Sequence, residues 1–218
     1  MQIKHAIGLV ADAYFLPSPH CDVRPQGVEP SLIVVHGISL PPGEFGGAWI
    51  DDLFMGRLDP AAHPYFAGIA HLRVSAHVLI RRDGAVTQYV PFHLRAWHAG
   101  ASAFEGRAGC NDFSIGIELE GTDDLPYTEA QYASLAQVIA ALQQAYPSLR
   151  AIAGHADIAP GRKTDPGASF EWSRLEALLN DGGVSLQHTG QGAASEARLV
   201  LTSAKFQVGT YSCFYLQP

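Results

Sequence analysis

The chain has 218 residues, enough for one domain with a full core and too few for a second complete one beside it. Its net charge of −7 argues against a nucleic-acid partner, and no apolar run is long enough to span a bilayer. Three scattered cysteines, Cys21, Cys110 and Cys213, suit a reducing compartment better than a disulfide framework. Only Lys4 precedes the first apolar stretch and Asp12 interrupts it, so the N-terminus does not read as a signal peptide and a cytoplasmic location is expected.

In chain order, Ala6 to Leu9 is a short strand candidate, followed by extended chain rich in proline up to Pro30. Ser31 to His36 is a continuous β-branched run stopped by Gly37, the pattern of a strand with both faces covered. After the breaker-rich Pro41-Pro42-Gly43-Glu44-Phe45-Gly46-Gly47, short helices are predicted over Ala48–Phe54 and His63–Leu72. Ser75–Ile80 and Ala85–Val90 read as a hairpin turning at Asp83-Gly84. The segment from Arg95 to Asn111 reads as an irregular loop of a length that often carries function.

Ser114–Glu120 alternates, with Ile115, Ile117 and Leu119 on the core side and Glu118 and Glu120 on the other. Thr128 to Gln131 is a capping box, and the apolar positions from Tyr132 to Tyr146 recur at helical spacing until Pro147. A strand at Ala151–Gly154 and an amphipathic helix at Trp172–Leu179 complete an α/β pattern: one domain, residues 1–180, with a central mixed sheet flanked by helices. Residues 181–218 read as a Gly/Ser-rich linker and an apolar tail of unassigned role.

The densest chemistry lies between Gly154 and Pro166, where Pro160, Gly161 and Pro166 predict a shaped turn rather than a helix. Two histidines and a carboxylate make a sound zinc shell that leaves a fourth position for water, and His36, His155 and Asp165 can supply it. Water bound to zinc has its pKa lowered to about 7, which leaves a carboxylate to manage protons and a cation to hold the oxyanion. Glu118 and Lys163 have those chemistries. Spacing does not select among the 10 histidines: His71, His77 and His98 compete with the pair, Asp157 competes with Asp165, and Glu120 with Glu118. His77, inside an apolar strand, reads better as a hydrogen-bonded core residue, and Glu118 and Glu120 could both be solvated.

Val35-His36, the Pro41–Gly47 loop, His63-Pro64-Tyr65-Phe66, Arg73-Val74-Ser75-Ala76-His77, Trp97-His98-Ala99-Gly100, Ser114–Glu118 and Arg162–Gly167 occur in this order. Together they resemble the zinc N-acetylmuramoyl-L-alanine amidases, in particular the cytosolic members that recycle anhydromuropeptides. The resemblance runs from the N-terminus through Leu179. It implies Zn²⁺ on His36, His155 and Asp165, catalysis by Glu118 and Lys163, and hydrolysis of the amide between 1,6-anhydro-N-acetylmuramic acid and L-alanine. Arg73, Arg107 and Arg162 are candidates to pair with peptide carboxylates, Trp97 and His98 to line the groove, and Asn111 to contact substrate. A monomer with neither nucleic-acid nor membrane partners is expected. A peptidoglycan-recognition module that does not cut would not need all five metal and catalytic residues. Gly37 departs from the resemblance, which leads one to expect a bulkier polar residue after the ligand histidine.

Overall fold

A computed structural model describes residues 1–184, and the apolar tail expected at 199–216 lies outside the described residues. Six strands assemble into one mixed sheet, in the order Ala151–Gly154, Leu32–Ile38, Ser114–Glu120, Val78–Ile80, Val86–Gln88, Tyr14–Phe15. The first four strands are mutually parallel, and Val86–Gln88 runs antiparallel to Val78–Ile80 through the turn at Gly84.

Alternation along the central strands divides the core into layers. Ile33, Val35, Ile115, Ile117, Leu119 and Ile152 pack under the helices Glu129–Ala145 and Trp172–Asp181, together with Tyr132, Leu135, Ile139 and Leu175. The opposite face carries Leu32, Val34 and Ala153, which are covered by Ala99, Cys110, Phe113 and Ile158. Ala99 and Cys110 of that covering layer come from the segment expected to be irregular. It contains the short strands Leu94–Ala96, Ala103–Phe104 and Arg107–Ala108 and a 3-10 turn at Cys110–Asp112.

The long helix starts where its capping box predicts, with Thr128 Oγ1 accepting from the Gln131 N–H at 3.1 Å and Gln131 Oε1 accepting from the Thr128 N–H at 3.1 Å. Three local expectations are corrected. Ala6–Leu9 is not a strand: His5–Ile7 is a 3-10 turn closed by Gly8 in the left-handed region, and only Leu9–Val10 is extended. His63–Leu72 is not a helix beyond one 3-10 turn at Phe66–Gly68, which seats the buried Phe66 in a satellite core with Trp49 packed against it. His155 opens a short helix, His155–Ile158, inside the stretch expected to be a turn.

Candidate active site

Parallel register explains why distant residues meet. His36 is paired across the ladder with Glu118, and Gly154 is paired with Val35, so the next residue, His155, emerges beside His36. The chain turns there because the Asp157 carboxylate accepts the Gly154 N–H at 2.8 Å and holds the start of the short helix. Asp157 is therefore committed to its own backbone. Asp165 returns to the same place because its carbonyl accepts the Ala156 N–H at 2.9 Å.

The result is a triangle of donor atoms. His36 Nδ1 lies 3.0 Å from His155 Nδ1 and 3.1 Å from Asp165 Oδ2, and His155 Nδ1 lies 3.1 Å from the same oxygen. Among the described residues this trio forms a grouping able to hold a metal ion. Two imidazole nitrogens and one carboxylate oxygen are a donor set that zinc takes, and bonds of about 2.0–2.1 Å would place such atoms a little over 3 Å apart. Both histidines are buried, and burial lowers the pKa of His36 to about 4 despite the adjacent Asp165 carboxylate. Burial also opposes the charge on Asp165, but the adjoining His155 and His36 rings outweigh it and hold the carboxyl well below the usual carboxylate range.

Glu118 flanks the triangle, its Oε1 at 4.0 Å from His36 Nδ1, while its buried Oε2 has no hydrogen-bond partner among the described residues. Burial, reinforced by the Asp165 charge, pushes the Glu118 carboxyl well above its ordinary pKa, and Lys163 pulls it the other way. A carboxyl displaced upward in this way holds a proton more readily than an ordinary surface carboxylate, which suits it to acid–base work. Neither Glu118 nor Glu120 is solvated, since they are 8% and 1% exposed.

The triangle lines a cleft of about 560 Å³. Its lining includes the apolar Leu40, Leu53, Phe54, Tyr65, Ile69 and Leu72 and, with them, Gly121, Thr122, Asp123 and the exposed Lys163. Gly37 also lines it, and a Cβ there would overlap the Tyr127 hydroxyl, which instead donates to the Pro166 carbonyl at 2.9 Å. The space left by the unexpected glycine is thus filled by a tyrosine from another element.

The other candidates scatter. His98 lines the cleft, with Nδ1 2.9 Å from His36 Nε2. Asn111 turns its Oδ1 to the backbone N–H groups of His98 and Ala99, at 3.1 and 2.8 Å. Arg162 donates to the carbonyls of Ala99 and Ala101, both at 2.7 Å. Arg73 is exposed between Leu72 and Val74, which line the cleft. Trp97 donates to Asp22 and stacks on His20, and the Arg107 guanidinium lies 4.0 Å from the centre of the Phe113 ring. His71 is exposed, and His77 is the hydrogen-bonded core residue expected: it accepts the Gly116 N–H at 3.0 Å, and its Nε2 lies 3.1 Å from the Leu94 carbonyl. Sequence reasoning missed Ser114, Tyr127 and the Ala99 carbonyl, which touch the site through hydrogen bonds that no spacing announces.

A family model described as N-acetylmuramoyl-L-alanine amidase matches residues 26–168. The chain belongs to the N-acetylmuramoyl-L-alanine amidase family. The amidase is 66% identical over 173 residues to the 1,6-anhydro-N-acetylmuramyl-L-alanine amidase AmpD of Citrobacter freundii, covering 79% of this chain and 92% of that protein. It is 63% identical over 174 residues to AmpD of Escherichia coli K12, covering 79% and 95%. A crystal structure of a selenomethionine AmpD derivative superposes with a TM-score of 0.79 at 63% identity, covering 82% of this chain and 99% of that one. The mixed sheet with flanking helices is therefore the fold of this family, and the amidase is a hydrolase. AmiD of E. coli, solved with anhydro-N-acetylmuramic acid-L-Ala-D-γ-Glu-L-Lys, aligns with a TM-score of 0.50 at 27% identity, covering 78% of this chain and 60% of that one. Among the described residues, no helix is long and apolar enough to cross a membrane.

Proposed function

We propose that this amidase hydrolyses the bond between the lactyl carbonyl of 1,6-anhydro-N-acetylmuramic acid and the nitrogen of L-alanine in a muropeptide, as part of peptidoglycan recycling, with zinc held by His36, His155 and Asp165. The observation that carries the reading is the meeting, in one cleft, of the three donor atoms, a buried carboxylate whose Oε2 has no hydrogen-bond partner among the described residues and an exposed lysine. The substrate class is supported by the relatives' names and by the muropeptide bound to AmiD.

Zinc at that position supplies Lewis acidity, polarising a carbonyl and making water nucleophilic at neutral pH. Glu118 takes a proton from the attacking water and hands it to the alanine nitrogen as the carbon–nitrogen bond breaks. Its buried Oε2 suits that double duty because no described side chain or backbone group occupies it. Lys163, in the cleft lining, meets the negative charge that develops on the carbonyl oxygen. The apolar lining with Tyr65 and Leu72 offers a surface for the sugar face and lactyl methyl. The same reading places the protein in the cytoplasm as a monomer, with residues 1–180 as the catalytic unit and 181–218 as an appended linker and tail.

The test is incubation of the zinc-loaded protein with 1,6-anhydro-N-acetylmuramyl tripeptide and mass spectrometry of the products. Free anhydro-sugar and an L-alanine-led tripeptide are expected. Intact substrate, with zinc verified in the sample, would overturn the substrate assignment.

A further inference from the structure

We propose that the dipeptide His98-Ala99 is a positioning template that fixes the proton on both ligand histidines, so that each presents a bare Nδ1 to the metal. This rests on the metal-site reading above and goes beyond it, because it assigns His98 to the orientation of His36 rather than to substrate.

The inference follows from counting protons along one hydrogen-bond chain. Ser114 Oγ donates to the Cys110 carbonyl at 2.6 Å. A hydroxyl has a single proton, so towards His98 Nε2, 3.1 Å away, the same oxygen can only accept. His98 Nε2 therefore carries the hydrogen, and in a neutral ring Nδ1 is then an acceptor. That Nδ1 lies 2.9 Å from His36 Nε2, which must be the donor. His36 Nδ1 is left with a lone pair, and it is the nitrogen that faces Asp165 and His155. The second ligand is set by the next residue of the template: His155 Nε2 lies 3.2 Å from the Ala99 carbonyl, which can only accept, and Arg162 Nη2, 3.5 Å from the same nitrogen, is spent on the Ala99 and Ala101 carbonyls at 2.7 Å, so His155 Nδ1 is bare as well.

The rest of the surroundings holds the template in place. Asn111 Oδ1 pins the N–H groups of both template residues, and Arg162 braces the Ala99 carbonyl. Gly116 gives His98 room to lie across the strand, since a Cβ there would come within 2.6 Å of His98 Nδ1 and overlap the ring. Running the chain in reverse would require Ser114 to abandon the Cys110 carbonyl and would put a proton on His36 Nδ1, where Asp165 Oδ2 at 3.1 Å would accept it and that nitrogen could no longer take a metal, so in the zinc-free protein the template competes with Asp165 for the tautomer. Partners of this kind fix tautomer and ring direction, and losing one typically costs about 10–100-fold in metal affinity.

Two measurements on the full chain test this. Long-range proton–nitrogen correlation spectra of the zinc-free, nitrogen-labelled protein should show His36, His98 and His155 all as the Nε2–H form. Zinc affinity by chelator competition should fall about 10–100-fold in His98→Phe, which keeps the ring volume but cannot accept, and should recover to within a few-fold of wild type in His98→Asn, whose amide oxygen can stand in for Nδ1. A wild-type His36 protonated at Nδ1, or a folded His98→Phe with unchanged zinc affinity, would overturn the template. If the wild type takes up no zinc, the metal reading falls separately, and the tautomers of the zinc-free protein still decide the template.

Discussion

Glu118 and Glu120 lie two residues apart on one strand, on the same face, and both are buried, yet their surroundings are opposite. Glu118 has an oxygen with no partner among the described residues and sits against the donor triangle. Glu120 is saturated: it accepts the Gly46 N–H at 2.7 Å, Arg81 Nη1 at 3.0 Å and the Arg82 N–H at 3.2 Å. Arg81 extends that second cluster to the Gly47 carbonyl and to Asp51, which also accepts from the Tyr89 hydroxyl. Burial alone therefore does not mark a working carboxylate. What separates the two is whether the hydrogen-bonding capacity is spent on the fold, as at Glu120, or left for chemistry, as at Glu118.

The largest expected effect comes from removing the reason for the difference. His155→Ala takes away one of three donors, and zinc content by elemental analysis and amidase turnover should both drop to background. Glu118→Gln should keep zinc and the thermal midpoint while turnover falls about 10²-fold or more, because an amide cannot shuttle a proton. Near-normal turnover in Glu118→Gln would mean that the unpaired oxygen is not the acid–base group.

Glu120→Gln should give the converse pattern. It leaves Arg81 short of a charged partner, worth about 2 kcal/mol, or roughly 4–8 °C in thermal midpoint for a chain of this size. Since Gly46 belongs to the loop whose Ser39, Leu40, Pro42 and Gly43 line the cleft, KM should rise while kcat stays within a few-fold. A kcat loss as large as that of Glu118→Gln, with KM unchanged, would erase the distinction between the two carboxylates.

The same contrast shows what could be read from the chain. The strands Ser114–Glu120 and Ala151–Gly154, the helix capped by Thr128 and the body of the strand Leu32–Ile38 are legible because alternation, β-branched runs and a capping box are local signals, although that last strand runs on through Gly37, expected to stop it, to Ile38. Ala6–Leu9 and His63–Leu72 were misread because a left-handed Gly8 and a single buried anchor, Phe66, override apolar content over short spans. Spacing alone could not choose among ten histidines. The choice of His36 and His155, 119 residues apart, came from family resemblance, and the structure supplies its physical cause in the pairing of Val35 with Gly154. Ser114 and Ala99 stayed invisible because one acts through a single hydroxyl proton and the other through a backbone carbonyl.

The smallest effect concerns His77, which the sequence placed in the core and which sits behind the site rather than in it. Burial and the neighbouring Arg24 charge hold its pKa down to about 3, against about 6.5 in an unfolded chain. The unfolded state therefore binds more protons between those values, so the contribution of a neutral His77 to stability is complete above about pH 6.5 and is lost as pH falls towards 3. His77→Gln removes that titration. Whatever its stability at neutral pH, the variant should lose less than the wild type on acidification, by roughly 0.8 kcal/mol between pH 7.5 and pH 6. Urea unfolding of both zinc-free proteins at the two pH values measures the difference, and because the other buried histidines are common to both, their titrations cancel. Equal losses would mean that His77 is already protonated in the fold, which would require its Nδ1 to give up the Gly116 N–H.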